Sequence, residues 1–155
     1  MTSLARSPMM RRIVEEQWLS LDVFHDRRHL FRDALSDHRK RRYRPSILTL
    51  LPHPEGIAYA AFAPGSESSN PAVAISMAGL DYDELVADGL LDAITVLYTR
   101  MDNFTLAPGA DPLNRHLILH GRFLGFASEV NSTRLLWAFD QLAEVVRQAE
   151  EERVK

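Results

Sequence analysis

Residues 81–101 read DYDELVADGLLDAITVLYTRM, and this stretch decides the fold class. Tyr82, Leu85, Val86, Leu90, Ala93, Ile94, Leu97, Tyr98 and Met101 recur every three or four positions, which gathers them on one face of an α-helix. Asp81, Asp83 and Glu84 stand at its start, where the positive end of the helix dipole favours acids.

Toward the N-terminus the same periodicity continues. Ile13, Val14, Trp18, Leu21, Phe24, Phe31, Ala34 and Leu35 predict one long helix over about 10–39, with Asp26-Arg27-Arg28-His29 interrupting the apolar pattern but not the helix. Pro45 is placed to start a second helix, because its restricted φ suits the first turn. Pro52 and Pro54 then predict a kink or restart before Glu55-Gly56, and 57–63 continues apolar. Residues 64–71, PGSESSNP, read as an exposed loop. Residues 72–77 (AVAISM) are the one place a short strand could sit.

On the C-terminal side, Asp111-Pro112 predicts an N-cap followed by proline at the first helical position, opening a helix over 113 to about 124. Asn131-Ser132-Thr133 has the form of a glycosylation acceptor; in a cytoplasmic chain it reads instead as the cap of a last helix. That helix carries the stripe Leu135, Leu136, Phe139, Leu142, Val145 and Val146 and ends in the solvated run Glu150–Arg153. The expected architecture is all-α, a bundle of about five helices forming one domain over 1–155. Trp18 and Trp137 are expected in the core or at an interface.

Composition narrows the chemistry. With no cysteine, disulfides, thiolate metal sites and cysteine nucleophiles are excluded. No apolar run approaches the roughly 18–20 residues of a membrane span, and the start MTSLARSPMMRRIVEEQ lacks the apolar core of a signal peptide, so a cytoplasmic location is expected. The net charge of −3 hides an asymmetry: residues 1–50 carry 11 Lys/Arg against 6 Asp/Glu, residues 51–155 carry 7 against 15. A polyanion is drawn to the first part and repelled by most of the second.

The candidate site is Asn114-Arg115-His116-Leu117-Ile118-Leu119-His120-Gly121. With Asp111 as N-cap, Asn114, Arg115 and His116 fall at the end of the first turn and His120 one turn on. Residues 116 and 120 share a face, whereas 115 and 120 stand about 140° apart around the axis. Arg115 supplies a permanent cation and His120 an imidazole, the side chain suited to exchanging a proton. RNA cleavage through its own 2′-hydroxyl needs those two functions, proton transfer and charge stabilisation on the phosphorane. Gly121 keeps bulk away from the site. His116 and His120 could chelate zinc, but the glutamate of a His-Glu-x-x-His motif and a third ligand are missing, so neither metal nor cofactor is expected. The run His38-Arg39-Lys40-Arg41-Arg42-Tyr43-Arg44 suits phosphate contact and base stacking, and equally a solvated helix end. Glu55 and Glu129 are candidates to orient Arg115 or His120.

Arg115 and His120 match the Arg-x4-His hallmark of HEPN domains (higher eukaryotes and prokaryotes nucleotide-binding), and the sequence resembles that family. The whole string 114–121, followed by Glu129-Val130-Asn131-Ser132 and preceded by Tyr43-Arg-Pro-Ser-Ile47, Leu50-Leu51-Pro52 and Glu55-Gly56, is similar to a bacterial subgroup over about residues 32–140. The resemblance implies an all-α bundle with metal-independent endoribonuclease activity, often in toxin–antitoxin or antiviral abortive-infection systems. It also implies a homodimer in which two motifs face one cleft, and a possible antitoxin or defence-system partner protein. Arg115 and His120 carry over as catalytic. Asn114, His116, Arg41, Arg42, Tyr43 and Arg44 would bind substrate, with Gly121, Glu55 and Glu129 in support. Asn114 departs from the many motifs that place the polar residue directly after the arginine, where this chain has His116; Pro54 departs from the upstream pattern. Some HEPN domains serve only in binding or assembly, which is the alternative function.

Overall fold

The structure is a computed structural model, and it describes residues 7–64, 84–99 and 113–154 together with Ala5 and Ile75. Among these residues the chain is all helical, with no strand. The loop proposed at 64–71 lies outside them except for Pro64, and so does 72–77 except for Ile75, which is helical and fully buried.

Helix α1 (Pro8–Glu16) opens on Ser7, whose hydroxyl accepts the Met10 N–H at 3.3 Å. The long helix expected over 10–39 is broken twice. A 3-10 turn (Trp18–Ser20) and the short α2 (Asp22–His25) separate α1 from α3 (Arg28–Arg39). The aromatic residues explain the break. In one continuous helix residues 18 and 31 would lie roughly 20 Å apart along the axis. Here the Trp18 and Phe31 ring centroids are 5.6 Å apart, and Phe24 and Phe139 complete the cluster. Folding back buries all four rings in one core, a far larger gain than a few helical hydrogen bonds.

Trp18 is anchored by its indole N–H, which donates to Asp140 Oδ1 at 3.0 Å. Burial pushes the Asp140 carboxyl up from its ordinary 3.8, the Trp18 hydrogen bond opposes the shift, and Glu144 adds to it. A carboxyl raised by folding contributes stability that is complete below the unfolded value and is lost as pH rises through the folded one. Asp140→Asn keeps an acceptor for Trp18 and removes the desolvated charge. It is expected to raise the melting temperature at pH 7, with the gain vanishing below about pH 3.8. Equal melting temperatures at pH 7 would count against this account.

Helix α3 ends in a Schellman arrangement: Arg42 N–H bonds Asp37 C=O at 2.8 Å and Arg41 N–H bonds His38 C=O at 3.0 Å. This puts Arg41 at φ 59°, a left-handed conformation that glycine adopts more readily. Arg41→Gly should therefore stabilise the fold by about 0.5–1 kcal/mol, read as a higher denaturation midpoint. An unchanged or lower midpoint would show that no strain is stored there.

Helices α4 (Tyr43–Leu50) and α5 (His53–Phe62) are separated at Pro52, so the proline pair restarts the helix, and Pro45 sits in the third position of α4 rather than the first. Helix α6 (Glu84–Tyr98) follows, then the five-residue α7 (Arg115–Leu119) and the 26-residue α8 (Glu129–Val154). Helix α8 packs against α4, α5 and α6, with all six apolar residues of its stripe buried. It begins at Glu129 rather than Asn131. The Ser128 hydroxyl is the cap, accepting the Asn131 N–H at 3.1 Å, and Asn131, Ser132 and Thr133 are buried inside the helix. No helix among the described residues is long and apolar enough to cross a membrane.

Candidate active site

The motif is assembled by one amide. Asn114, not Asp111, is the N-cap of α7: its Oδ1 accepts the Leu117 N–H at 3.1 Å. Asp111-Pro112 lies outside the described residues. The other end of the Asn114 amide donates to the carbonyls of Val96 and Thr99, both at 2.9 Å. These belong to the end of α6, where helix carbonyls lack partners of their own. Asn114 thus closes one helix and opens the next. Buried at 2 % exposure, its side chain has no face left for a substrate strand, in place of the binding role expected of it.

Starting α7 at Asn114 shifts the whole motif by three positions. Arg115 becomes the first helical residue and His120 the C-cap. Gly121 follows at φ 68° in a second Schellman arrangement, with Arg122 N–H bonding Leu117 C=O at 2.9 Å and Gly121 N–H bonding Ile118 C=O at 3.0 Å. The sign of φ accounts for the glycine, not crowding: a Cβ there would meet nothing within 4 Å.

Arg115 points to α5 and α6. Its Nη2 lies 3.5 Å from Glu55 Oε2, and its guanidinium carbon stands 5.4 Å from the Tyr98 ring centroid. Its Nε is buried without a hydrogen-bond partner among the described residues. Of the two acids considered for orienting Arg115 or His120, Glu55 is the one beside Arg115. Tyr98 is the residue that sequence reasoning missed as part of the site. It was placed in the apolar stripe, and the available signal was its hydroxyl, which needs a partner once buried. That hydroxyl accepts the Glu55 backbone N–H at 3.1 Å. Pro52, the N-cap of α5, has no side chain able to do this, so Tyr98 caps α5 from another helix. Burial pushes the Tyr98 phenol far above its usual range, against the pull of the Glu55 N–H and Arg115, so it stays protonated.

His120 is exposed and stands beside half-buried His116, their ring centroids 4.5 Å apart. Arg115 and His120 thus occupy opposite ends of α7, roughly 7.5 Å apart along its axis. A cation held by Glu55 and Tyr98 at one end, with an accessible imidazole pair at the other, can bind a phosphate and exchange a proton beside it. Among the described residues no three His, Asp or Glu side chains gather as a metal site requires.

The basic run is not one surface. His38 is buried, its Nδ1 2.8 Å from Ser132 Oγ, which in turn lies 3.0 Å from Ser46 Oγ. Tyr43 packs edge-on against His38, centroids 5.5 Å apart, so its ring serves the fold before any base. Arg42 is paired with Asp37, and Arg44 lies over the Phe126 ring at 5.5 Å. Arg41 is exposed at the left-handed turn. Glu129 is half-buried in the first turn of α8, where an acid complements the helix dipole. Of the sequence strings, 43–47 meets 129–132 through Ser46 and Ser132, with Arg44 over Phe126 nearby, while 114–121 reaches the Glu55-Gly56 string through Arg115. Comparison with family models, with curated proteins and with solved structures finds no match.

Proposed function

We propose that this chain is a metal-independent endoribonuclease of HEPN type, acting on RNA in the cytoplasm as a toxin or antiviral-defence effector. The observation that supports it most is the setting of Arg115. The guanidinium is positioned by Glu55 and Tyr98 from two other helices, yet one buried N–H is left without an acceptor. A fixed, incompletely satisfied cation is suited to the charge that develops on a phosphorane.

In this reading the 2′-oxygen attacks the neighbouring phosphorus while His120 takes its proton. The bond to the 5′-oxygen breaks, and that oxygen leaves protonated by the His120 imidazolium of the second copy facing the cleft. The products are a 2′,3′-cyclic phosphate and a free 5′-hydroxyl. Arg115 stabilises the phosphorane, and His116, next to His120, positions the strand. Two copies facing each other as a homodimer would complete the cleft. The test is incubation of purified protein with end-labelled RNA, with and without chelator. Cyclic-phosphate products are expected in both; intact RNA in both would sink the proposal.

A non-catalytic HEPN-like interaction or nucleotide-binding module is the second reading. A groove of about 530 Å³ between α6 and α8, walled by Leu90, Ala93, Val96, Leu97 and Trp137, favours it. Expression in growing cells separates the two, since an RNase toxin slows growth and a binding module does not.

A further inference from the structure

A second groove, of about 970 Å³, runs between α1 and α3. Arg11 on α1, Arg32 and Arg39 on α3 and Lys40 at the C-cap of α3 supply its cations, above a floor formed by Val14 and Leu35. The spacing explains the convergence: residues 32, 35, 36, 39 and 40 fall at three- and four-residue steps along one helix face, as do 11, 14 and 15 on the other. Among the described residues Glu15 is the only acid lining it, and it is already committed. Arg32 grips it bidentately, Nε to Oε1 at 2.7 Å, and holds its carboxyl below the ordinary range. Among the described residues Arg11, Arg39 and Lys40 make no ion pair within 4 Å, although Arg11 stands near enough to Glu15 to help Arg32 hold its carboxyl down. The Glu15–Arg32 bridge stiffens the wall, while three cations face solvent along a trough. Residues 39 and 40 by themselves suit the C-terminal end of α3, but Arg11 comes from another helix, and the dipole of α3 does not account for it.

We infer that this groove takes a chain of phosphates, the backbone of single-stranded RNA, and so holds substrate through residues outside the Arg115–His120 motif. The inference rests on the RNA reading above but is measured without cleavage. Each neutralised phosphate on a single strand contributes about −0.7 to the slope of log affinity against log salt, so three cations contribute about −2. Cations line its rim, and among the described residues no aromatic ring lines it, which fits contact with backbone rather than with bases.

The experiment titrates the full chain against fluorescein-labelled 2′-O-methyl RNA, which lacks the attacking hydroxyl, and reads anisotropy from about 50 to about 200 mM salt. The variant Arg11→Ala/Arg39→Ala/Lys40→Ala should bind at least about tenfold more weakly, with a slope shallower by about 2. All three side chains are exposed, so its melting temperature should stay close to that of the wild type. The control Arg12→Ala/Arg28→Ala/Arg147→Ala changes net charge equally and should bind much as the wild type does. Equal weakening in both triples, or none in the groove triple, overturns the inference. Inorganic polyphosphate as competitor separates the sources. Full displacement at matched phosphate number assigns the groove to phosphate chains generally, and retained RNA binding assigns it to nucleic acid. A protein that binds through the groove but cuts nothing keeps this inference and retires the nuclease.

Discussion

Asn114→Asp is expected to cost roughly 3–5 kcal/mol, a large share of a total stability of about 5–15 kcal/mol. The change is nearly isosteric and preserves the N-cap, since an Asp oxygen still accepts the Leu117 N–H. What it removes is the amide that donates to Val96 and Thr99. A carboxylate oxygen would then face two carbonyl oxygens, leaving two part-buried acceptors without their donor and placing a charge where the side chain is 2 % exposed. Asn114→Ser keeps the cap, loses both donations and lacks the new charge, so about 1–3 kcal/mol is expected. Urea denaturation followed by circular dichroism gives both values. An Asp variant within about 1 kcal/mol of the wild type would rule out the double-capping role.

Arg115→Ala should lower RNA cleavage by about 10³-fold or more, the scale of losing one preorganised stabiliser of transition-state charge. The same change should cost little stability, because the Glu55 contact is 3.5 Å long and both partners are partly exposed. That contrast separates catalysis from scaffolding: activity falls while the denaturation midpoint holds. Arg115→Lys should recover little, since an ammonium cannot span Glu55, the Tyr98 ring and a phosphate as a planar guanidinium does. Glu55→Gln leaves the cation in place and loosens its aim, so roughly a tenfold loss is expected, smaller than for Arg115→Ala. His120→Ala should cost about 10²- to 10⁴-fold. Cleavage at the wild-type rate by His120→Ala protein would discard the mechanism.

Where burial runs along a single face, the chain announced its structure: the stripe from Leu135 to Val146 is periodic and lies inside. The first 30 or so residues did not. Trp18, Leu21, Phe24 and Phe31 follow one another at steps of three, three and seven across both breaks, so periodicity cannot tell one helix from three pieces re-entering the same core. The start of α7 was misplaced for a related reason. Asp111 and Asn114 are both good caps three residues apart, and local preference does not choose between them. For Asn114 the structure shows partners distant in sequence, Val96 and Thr99, that an aspartate could not satisfy. The pairing of Arg115 with Glu55 was readable as chemistry, but Tyr98 was not. Its hydroxyl acts on a backbone N–H 43 residues away, and only the proline restart at 52 makes that N–H need it.

The Asn114 clamp also ties together two events that most proteins keep apart. Terminal turns of helices are where native structures open first, with free energies well below that of global unfolding. Here the last turn of α6 holds Asn114 through its carbonyls and carries Tyr98, on which Arg115 rests. When that turn frays, the cap of α7 and the seat of Arg115 are released together. The cation at one end of α7 and the imidazole at the other are therefore tied to the same turn of α6, and the opening free energy of that turn bounds how firmly both are held.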